Sequence, residues 1–206
     1  MKRSLVIGNA NVGKTLFCLR FAAFLGLRQL RVFVERTDGK TEERLLTVEE
    51  AKQLLSGPES HHTRDLQTIA LSVPRGKSNR QLLLTDTTGL TDGIHPDTEI
   101  RQAMAQTLSA LASAHVILHV VDAARLGSEA SESGKSSAWK PVDEQLAEYG
   151  QGCDSYLILA NKMDLPGAKA GYQHLCKRFG KHRVVPVSAL YGGGFREVKQ
   201  HVWRFA

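Results

Sequence analysis

Short apolar runs alternate with amphipathic stretches along this chain, and the alternation predicts its elements. Leu5-Val6-Ile7 lies in a first strand over 4–8, and the stretch over 14–26 reads as a helix. Two short runs, Arg31–Arg36 and Glu43–Thr47, flank Asp38-Gly39, which predicts a hairpin. Thr47-Val48-Glu49-Glu50 has the spacing of a capping box, so a short helix is expected to about Leu55, ended by Ser56-Gly57-Pro58. Strands are expected at 67–73 and 81–85, and an amphipathic helix at 98–113. His115 to Val121 is nearly continuous in apolar residues, as a buried parallel strand should be. Pro141 to Gly150 predicts a helix with proline first, followed by a strand at 156–160, a helix at 168–179, a strand at 184–187 and a helix at 195–205. Residues 126–140, rich in serine and glycine, are expected to form a flexible loop. Strands alternating with helices predict an α/β fold, a mostly parallel six-stranded sheet with helices on both faces.

With 206 residues the chain suits one domain. Its 3 cysteines (Cys18, Cys153, Cys176) are odd in number and widely spaced, giving neither a disulfide framework nor a zinc motif. That fits a reducing cytoplasm. The first strand begins close behind Met1, so no signal peptide is expected. Leu16 to Leu27, the longest apolar stretch, is broken by Arg20 and is too short to span a bilayer. The net charge of +6 is uneven, because beyond Leu165 eight lysines and arginines face Glu197 alone. A basic end suits RNA or another acidic partner, and equally a solvated face.

Chemistry concentrates first at Gly8-Asn9-Ala10-Asn11-Val12-Gly13-Lys14-Thr15, which fits GxxxxGK[ST] between a strand and a helix. Converging backbone N–H groups and the helix N-terminus hold an anion there, so Asn9, Ala10, Asn11, Val12, Gly13, Lys14 and Thr15 are expected to bind nucleotide phosphates. Lys14 reaches the terminal phosphates, and the Thr15 hydroxyl suits Mg²⁺. Asp86-Thr87-Thr88-Gly89 follows a strand, which puts Asp86 beside the same Mg²⁺ and the Gly89 N–H beside the terminal phosphate. Asn161-Lys162-Met163-Asp164 follows the strand at 156–160 and selects the base. The Asp164 carboxylate accepts from N1–H and the exocyclic amine of guanine, a donor pair that adenine lacks. Asn161 ties the base edge to the phosphate loop, and the Lys162 stem covers the base. Val187-Ser188-Ala189-Leu190 completes the set, with Ser188 steadying Asp164 and the Ala189 N–H meeting the guanine carbonyl.

Four motifs in this order resemble the translation-factor-like (TRAFAC) class of P-loop GTPases over nearly the whole chain, which implies a three-layer G domain binding GTP or GDP with Mg²⁺. Thr63-Arg64-Asp65 is similar to the switch I of the Era, Der and TrmE group, and by that resemblance Thr63 binds Mg²⁺ and the γ-phosphate. Leu90 after DTTG resembles the same group, with an apolar residue where Ras has its water-orienting glutamine. In potassium-activated members an asparagine at the position of Asn11 ligates a monovalent cation. Here His61-His62 departs from their usual Gly-Thr, so two readings stand for Asn11, a K⁺ ligand or a shaper of the loop. Asp97 and Glu99, lying 11 and 13 residues beyond Asp86, are candidates for the water-holding acid of TrmE, or else dipole partners of a helix start.

Lys14 to Thr63 spans 49 residues, about twice the Era-like spacing, and the surplus is a hairpin-helix insertion at about 31–56. It leads into switch I and reads either as a partner-docking element or as a fixed decoration. The expected function is slow, Mg²⁺-dependent hydrolysis of GTP by a single G domain over 1–206, a molecular switch in the cytoplasm, monomeric or dimerising with nucleotide. Its partners are an unidentified protein at 31–56 and the switches, and RNA or the ribosome at the basic end. The alternatives are a guanine-nucleotide-responsive interaction module with incidental hydrolysis, or an RNA-binding protein gated by GTP.

Overall fold

A computed structural model describes residues 1–55, 65–75, 78–133, 139–180 and 184–205. Among the described residues eight strands form one sheet: β1 (Lys2–Ile7), β2 (Gln29–Glu35), β3 (Thr41–Thr47), β4 (Leu66–Arg75), β5 (Ser78–Asp86), β6 (Val116–Asp122), β7 (Tyr156–Asn161) and β8 (Val184–Pro186). The helices are α1 (Lys14–Phe24), α2 (Val48–Leu55), α3 (Thr98–Ala112), α4 (Ala123–Ser133), α5 (Pro141–Gly150), α6 (Ala168–Arg178) and α7 (Phe195–Phe205). The strand order is β3-β2-β4-β5-β1-β6-β7-β8. From β5 through β8 every pairing is parallel, so β5, β1, β6 and β7 all end at one edge.

Side chains of the central strands alternate between two cores. Val6, Leu118, Leu157 and Leu159 face Phe17, Phe21, Phe195, Val198 and Val202 of α1 and α7. Leu5, Ile7, Ile117 and Ile158 face Leu111, Leu126, Leu146 and Leu175 of α3 to α6. A parallel sheet needs both faces covered, because each of its strands is apolar on both sides. Phe17 stacks on Phe21, and Phe195 meets both edge-on at 5.4 and 5.6 Å between centroids. Among the described residues no helix is long and apolar enough to cross a membrane.

Two expectations are corrected. The sheet has eight strands rather than six, because the hairpin is not a separate appendage. β2 pairs antiparallel with β4, Val32 opposite Ile69, and Leu30, Val32 and Val34 are buried in the α1–α7 core. The hairpin thereby covers the open edge of β4 and buries its own apolar face in one step. Helix α2 follows with the expected cap, the Thr47 N–H donating to Glu50 Oε2 at 2.7 Å and the Glu50 N–H to Thr47 Oγ1 at 3.2 Å.

The second correction concerns 126–140, expected to be a flexible loop. Its first part is helical, since α4 runs through Ser133, and residues 134–138 lie outside the described ones. Asp122 starts the helix by accepting the Arg125 N–H at 3.0 Å, and Leu126 is buried. Gly127 is a contact rather than a hinge. A Cβ on it would stand 2.0 Å from Gly167 O, and one on Gly171 would stand 1.9 Å from Ala123 O, so α4 and α6 touch backbone to backbone. Gly171→Ala should therefore lower unfolding free energy by about 1–3 kcal/mol in denaturant melts. Gly152→Ala, whose Cβ meets nothing within 4 Å, should be nearly neutral. Equal stability of the two variants would contradict the close helix crossing.

Candidate nucleotide-binding site

The parallel strands deliver three of the predicted motifs to one sheet edge. Between β1 and α1 the chain turns through Gly8, Asn11 and Gly13 with φ of 140°, 61° and 96°. Glycine is required at both ends of this turn: a Cβ on Gly8 would stand 2.3 Å from Val120 O, and one on Gly13 would stand 2.5 Å from Asn161 Nδ2. Asn11 is exposed, and its left-handed backbone is one that asparagine tolerates.

The loop's carbonyls are held from behind. Gly8 O accepts from Lys14 Nζ at 3.2 Å and from the Leu90 N–H at 3.1 Å. Asn9 O accepts from Lys14 Nζ at 2.7 Å, and Val12 O from Asn161 Nδ2 at 2.8 Å. Helix α1 starts on Gly13 without a side-chain cap, so its first-turn N–H groups open toward the loop. Such a helix start can hold an anion.

Opposite charges are buried beside it. Lys14 is 6% exposed and Asp86 2%. Burial pushes the Lys14 ammonium down from 10.5 to about 8, against the pull of Asp86 and Asp143. Burial pushes the Asp86 carboxyl up from 3.8 to about 6, against the Lys14 charge and the Thr15 hydroxyl. Thr15 Oγ1 donates to Asp86 Oδ2 at 2.5 Å, while Asp86 Oδ1 is buried without a hydrogen-bond partner. Asn9 Oδ1 and Thr88 Oγ1 are likewise unsatisfied, so three of the five such atoms among the described residues belong to the loop and to DTTG. A buried carboxylate oxygen and a hydroxyl on one spot fit a hard divalent cation. Gly89 runs tight against the loop, since a Cβ there would lie 2.6 Å from Ala10 N. Leu90 is 1% exposed and packs into the core with Leu5 and Ile7.

At the end of β7, Asn161 also accepts the Ala189 N–H at 2.9 Å through Oδ1. Ala189 was expected to offer that N–H to a base; here it fixes Asn161 instead. Ser188 Oγ donates to Asp164 Oδ1 at 2.5 Å, as expected, leaving Asp164 exposed at the rim. Lys162, at φ 66°, pairs with Asp122 at 2.6 Å. Leu190 exposes its side chain, and its carbonyl accepts from Arg20.

Other candidates fall elsewhere. Thr63, with His61 and His62, lies outside the described residues. Asp97 caps α3, accepting the Glu99 N–H at 2.8 Å, and Glu99 is exposed in its first turn. A buried group went unread: Asp143 bonds Asn9 Nδ2 at 2.5 Å and His119 Nε2 at 2.9 Å. The one signal was His119 itself, a polar residue in an otherwise apolar strand.

Residues 3–162 match the family described as 50S ribosome-binding GTPase, a span that includes the phosphate loop, DTTG and Asn161-Lys162. GTPase Obg of Desulfitobacterium hafniense is 33% identical over 131 residues, which is 62% of this chain and 29% of that protein. GTPase Obg of Moorella thermoacetica is 28% identical over 138 residues, 66% of this chain and 31% of that protein. The chain thus spans under a third of the length of these relatives. In fold it is similar to an Era variant from Aquifex aeolicus bound to GDP and AlF4⁻, with a TM-score of 0.67, 20% identity, and coverage of 100% of this chain and 57% of that one. It is also similar to the G domain of the T. maritima FeoB iron transporter, with a TM-score of 0.56, 17% identity, and coverage of 100% and 98%.

The raised pKa of Asp86 fixes a sign. Its ionised form destabilises the ligand-free fold above about pH 6, and that penalty is relieved as pH falls toward 3.8. Lys14 mirrors it, with a penalty below about pH 8 that is relieved as pH rises toward 10.5. In a carbon-detected NMR pH series on ligand-free protein, the Asp86 carboxyl should titrate near pH 6. A midpoint near 3.8 would contradict its burial behind Lys14.

Proposed function

The chain belongs to the 50S ribosome-binding GTPase family, and we propose that its site binds GTP and GDP with Mg²⁺ and hydrolyses GTP slowly as a molecular switch. The observation that carries this reading is the convergence at one sheet edge of the Gly8–Thr15 loop, the buried pair Lys14 and Asp86, and Asn161 bonded to Val12. In this reading Lys14 leaves its loop carbonyls to neutralise the β- and γ-phosphate oxygens, joined by the loop's N–H groups and that of Gly89. Thr15 and Asp86, with Thr63, would hold Mg²⁺, which would supply Lewis-acid stabilisation of the charge that develops in the reaction. Asp164, steadied by Ser188, selects guanine.

Leu90, apolar where Ras has its glutamine, supports a reading of the chain as similar to the Era, Der and TrmE group. Its side chain is packed in the core and offers no hydrogen bond to an attacking water. Water must be positioned by another group, with Asn11 and a bound K⁺ as the candidate source of extra positive charge. Intrinsic turnover on the order of 10⁻⁴–10⁻² s⁻¹ is then expected. The basic stretch beyond Leu165 suits ribosomal RNA, in keeping with the family description and with an Era structure, similar in fold (TM-score 0.65), that holds nucleotides 1506–1542 of 16S RNA. Residues 1–206 form one G domain in this reading.

One observation favours a second reading, in which the hairpin and α2 respond to nucleotide and dock a protein. Gln106 of α3, the helix that follows DTTG, donates to Glu35 O at 3.1 Å and so ties that helix to the hairpin.

The test is hydrolysis of GTP and ATP with Mg²⁺ in matched KCl and NaCl. GTP should be preferred, with faster turnover in KCl that is lost in Asn11→Ala. Equal rates in both salts would remove K⁺ from the account, and equal use of ATP would remove the guanine assignment. Asp164→Ala should weaken guanine-nucleotide binding about 10–100-fold and leave adenine nucleotides unchanged.

A further inference from the structure

Behind the phosphate loop lies a chain of buried polar groups that the reading above does not use. Asp143, the third residue of α5, is 1% exposed. Its Oδ2 accepts from Asn9 Nδ2 at 2.5 Å and from the Lys140 N–H at 3.1 Å, and its Oδ1 accepts from His119 Nε2 at 2.9 Å. With the proton on Nε2, the other ring nitrogen of His119 accepts the Tyr156 hydroxyl at 2.6 Å. His119 is 0% and Tyr156 3% exposed, so strands β6 and β7 hold the carboxylate from one side and α5 carries it from the other. Asn9 is gripped twice, its side chain by Asp143 and its carbonyl by Lys14 Nζ at 2.7 Å.

A buried carboxylate behind a loop built for a polyanion is electrostatically unfavourable for binding. Three donors satisfy this one, and such a charge-assisted bond holds its partner more firmly than a neutral acceptor would. The first turn of α5 is fixed from a second direction as well, since the Val142 N–H donates to Asp92 Oδ1 at 2.8 Å. Asp92 lies three residues beyond Gly89, in the segment that follows DTTG. One helix start is therefore bonded to both loops that face the nucleotide.

We infer that Asp143 is a positioning residue for the reaction: through Asn9 it sets the path of the phosphate loop, and with it the reach of Lys14. The inference rests on the proposed assignment of Gly8–Thr15 as the nucleotide loop. Trp139 reports on this junction, because its Nε1–H donates to Glu144 Oε2 at 2.7 Å, its ring packs tilted against Phe179 with 4.7 Å between centroids, and its centroid lies 6.0 Å from that of His119. The chain has 2 tryptophans, and Trp203→Phe in α7 leaves Trp139 as the sole emitter.

The experiment takes the full chain in that background and compares Asp143→Asn, Asn9→Ala and the double variant for GTP kcat, KM and Trp139 emission with GDP. Each single variant should lower kcat about tenfold or more, with KM changed less. The double variant should be no worse than the poorer single one, because both remove one interaction. The change in Trp139 emission on adding GDP should vanish in Asn9→Ala. Should Asp143→Asn fail to fold, Asn9→Ala, a truncation on the loop itself, carries the test alone. A kcat within twofold of the parent with the emission change intact would overturn the inference, as would multiplicative effects in the double variant. If the parent chain binds no guanine nucleotide, the assignment of function falls as well; if it hydrolyses GTP and the variants do so equally, only the role of Asp143 falls.

Discussion

Holding a chain of phosphates on main-chain N–H groups requires that the carbonyls of the same loop be occupied elsewhere, and the rest of this site follows from that requirement. Lys14 and the Leu90 N–H take Gly8 O, Lys14 takes Asn9 O, and Asn161 takes Val12 O. Two segments distant in sequence, at Leu90 and at Asn161, are thereby committed to the loop before any ligand arrives. The same arrangement buries a lysine and an aspartate, each of whose charges burial disfavours, and leaves carboxylate and amide oxygens without partners. A fold that keeps such groups out of water is destabilised where it is meant to bind, and the ligand relieves that tension.

The sheet makes this possible. Because β5, β1, β6 and β7 run parallel, their carboxyl ends and the turns that follow lie side by side, where open α/β sheets place ligands. Close backbone approach at Gly8, Gly13 and Gly89 then fixes loop against loop with no side chain between them. On the far side the hairpin completes the sheet through the otherwise open edge of β4 and reaches α3 through Gln106. An element inserted between the phosphate loop and DTTG is thus bonded to the helix that follows DTTG.

What was legible in the sequence was chemistry carried by fixed spacing. The phosphate loop, DTTG and NKMD each follow an apolar strand, and the structure brings Thr15 to Asp86 and Asn161 to Val12. The pairing of Asn161 with Val12 and of Ser188 with Asp164 could be anticipated because both partners sit inside motifs. Composition was a poorer guide. Gly127 belongs to a serine- and glycine-rich stretch that reads as a flexible loop, yet it is the contact that lets α4 touch α6. The hairpin was legible as a hairpin, but its pairing with β4 is non-local, and no local pattern marks Val32 as the neighbour of Ile69. Asp143 lies 134 residues from Asn9 and reads as an ordinary first-turn acid. Only His119, polar among apolar neighbours, hinted that the strand hides a polar network.

Amide hydrogen exchange is the measurement that shows whether a guanine nucleotide seats on the loop at residues 8–15. Exchange would be followed residue by residue with no ligand, with Mg²⁺ and GDP, and with Mg²⁺ and ADP. Strong slowing is expected at 10–16 and at 161–164 with GDP, and little change with ADP. Unchanged exchange at 10–16 with GDP, or equal slowing by ADP, would contradict a guanine nucleotide on that loop.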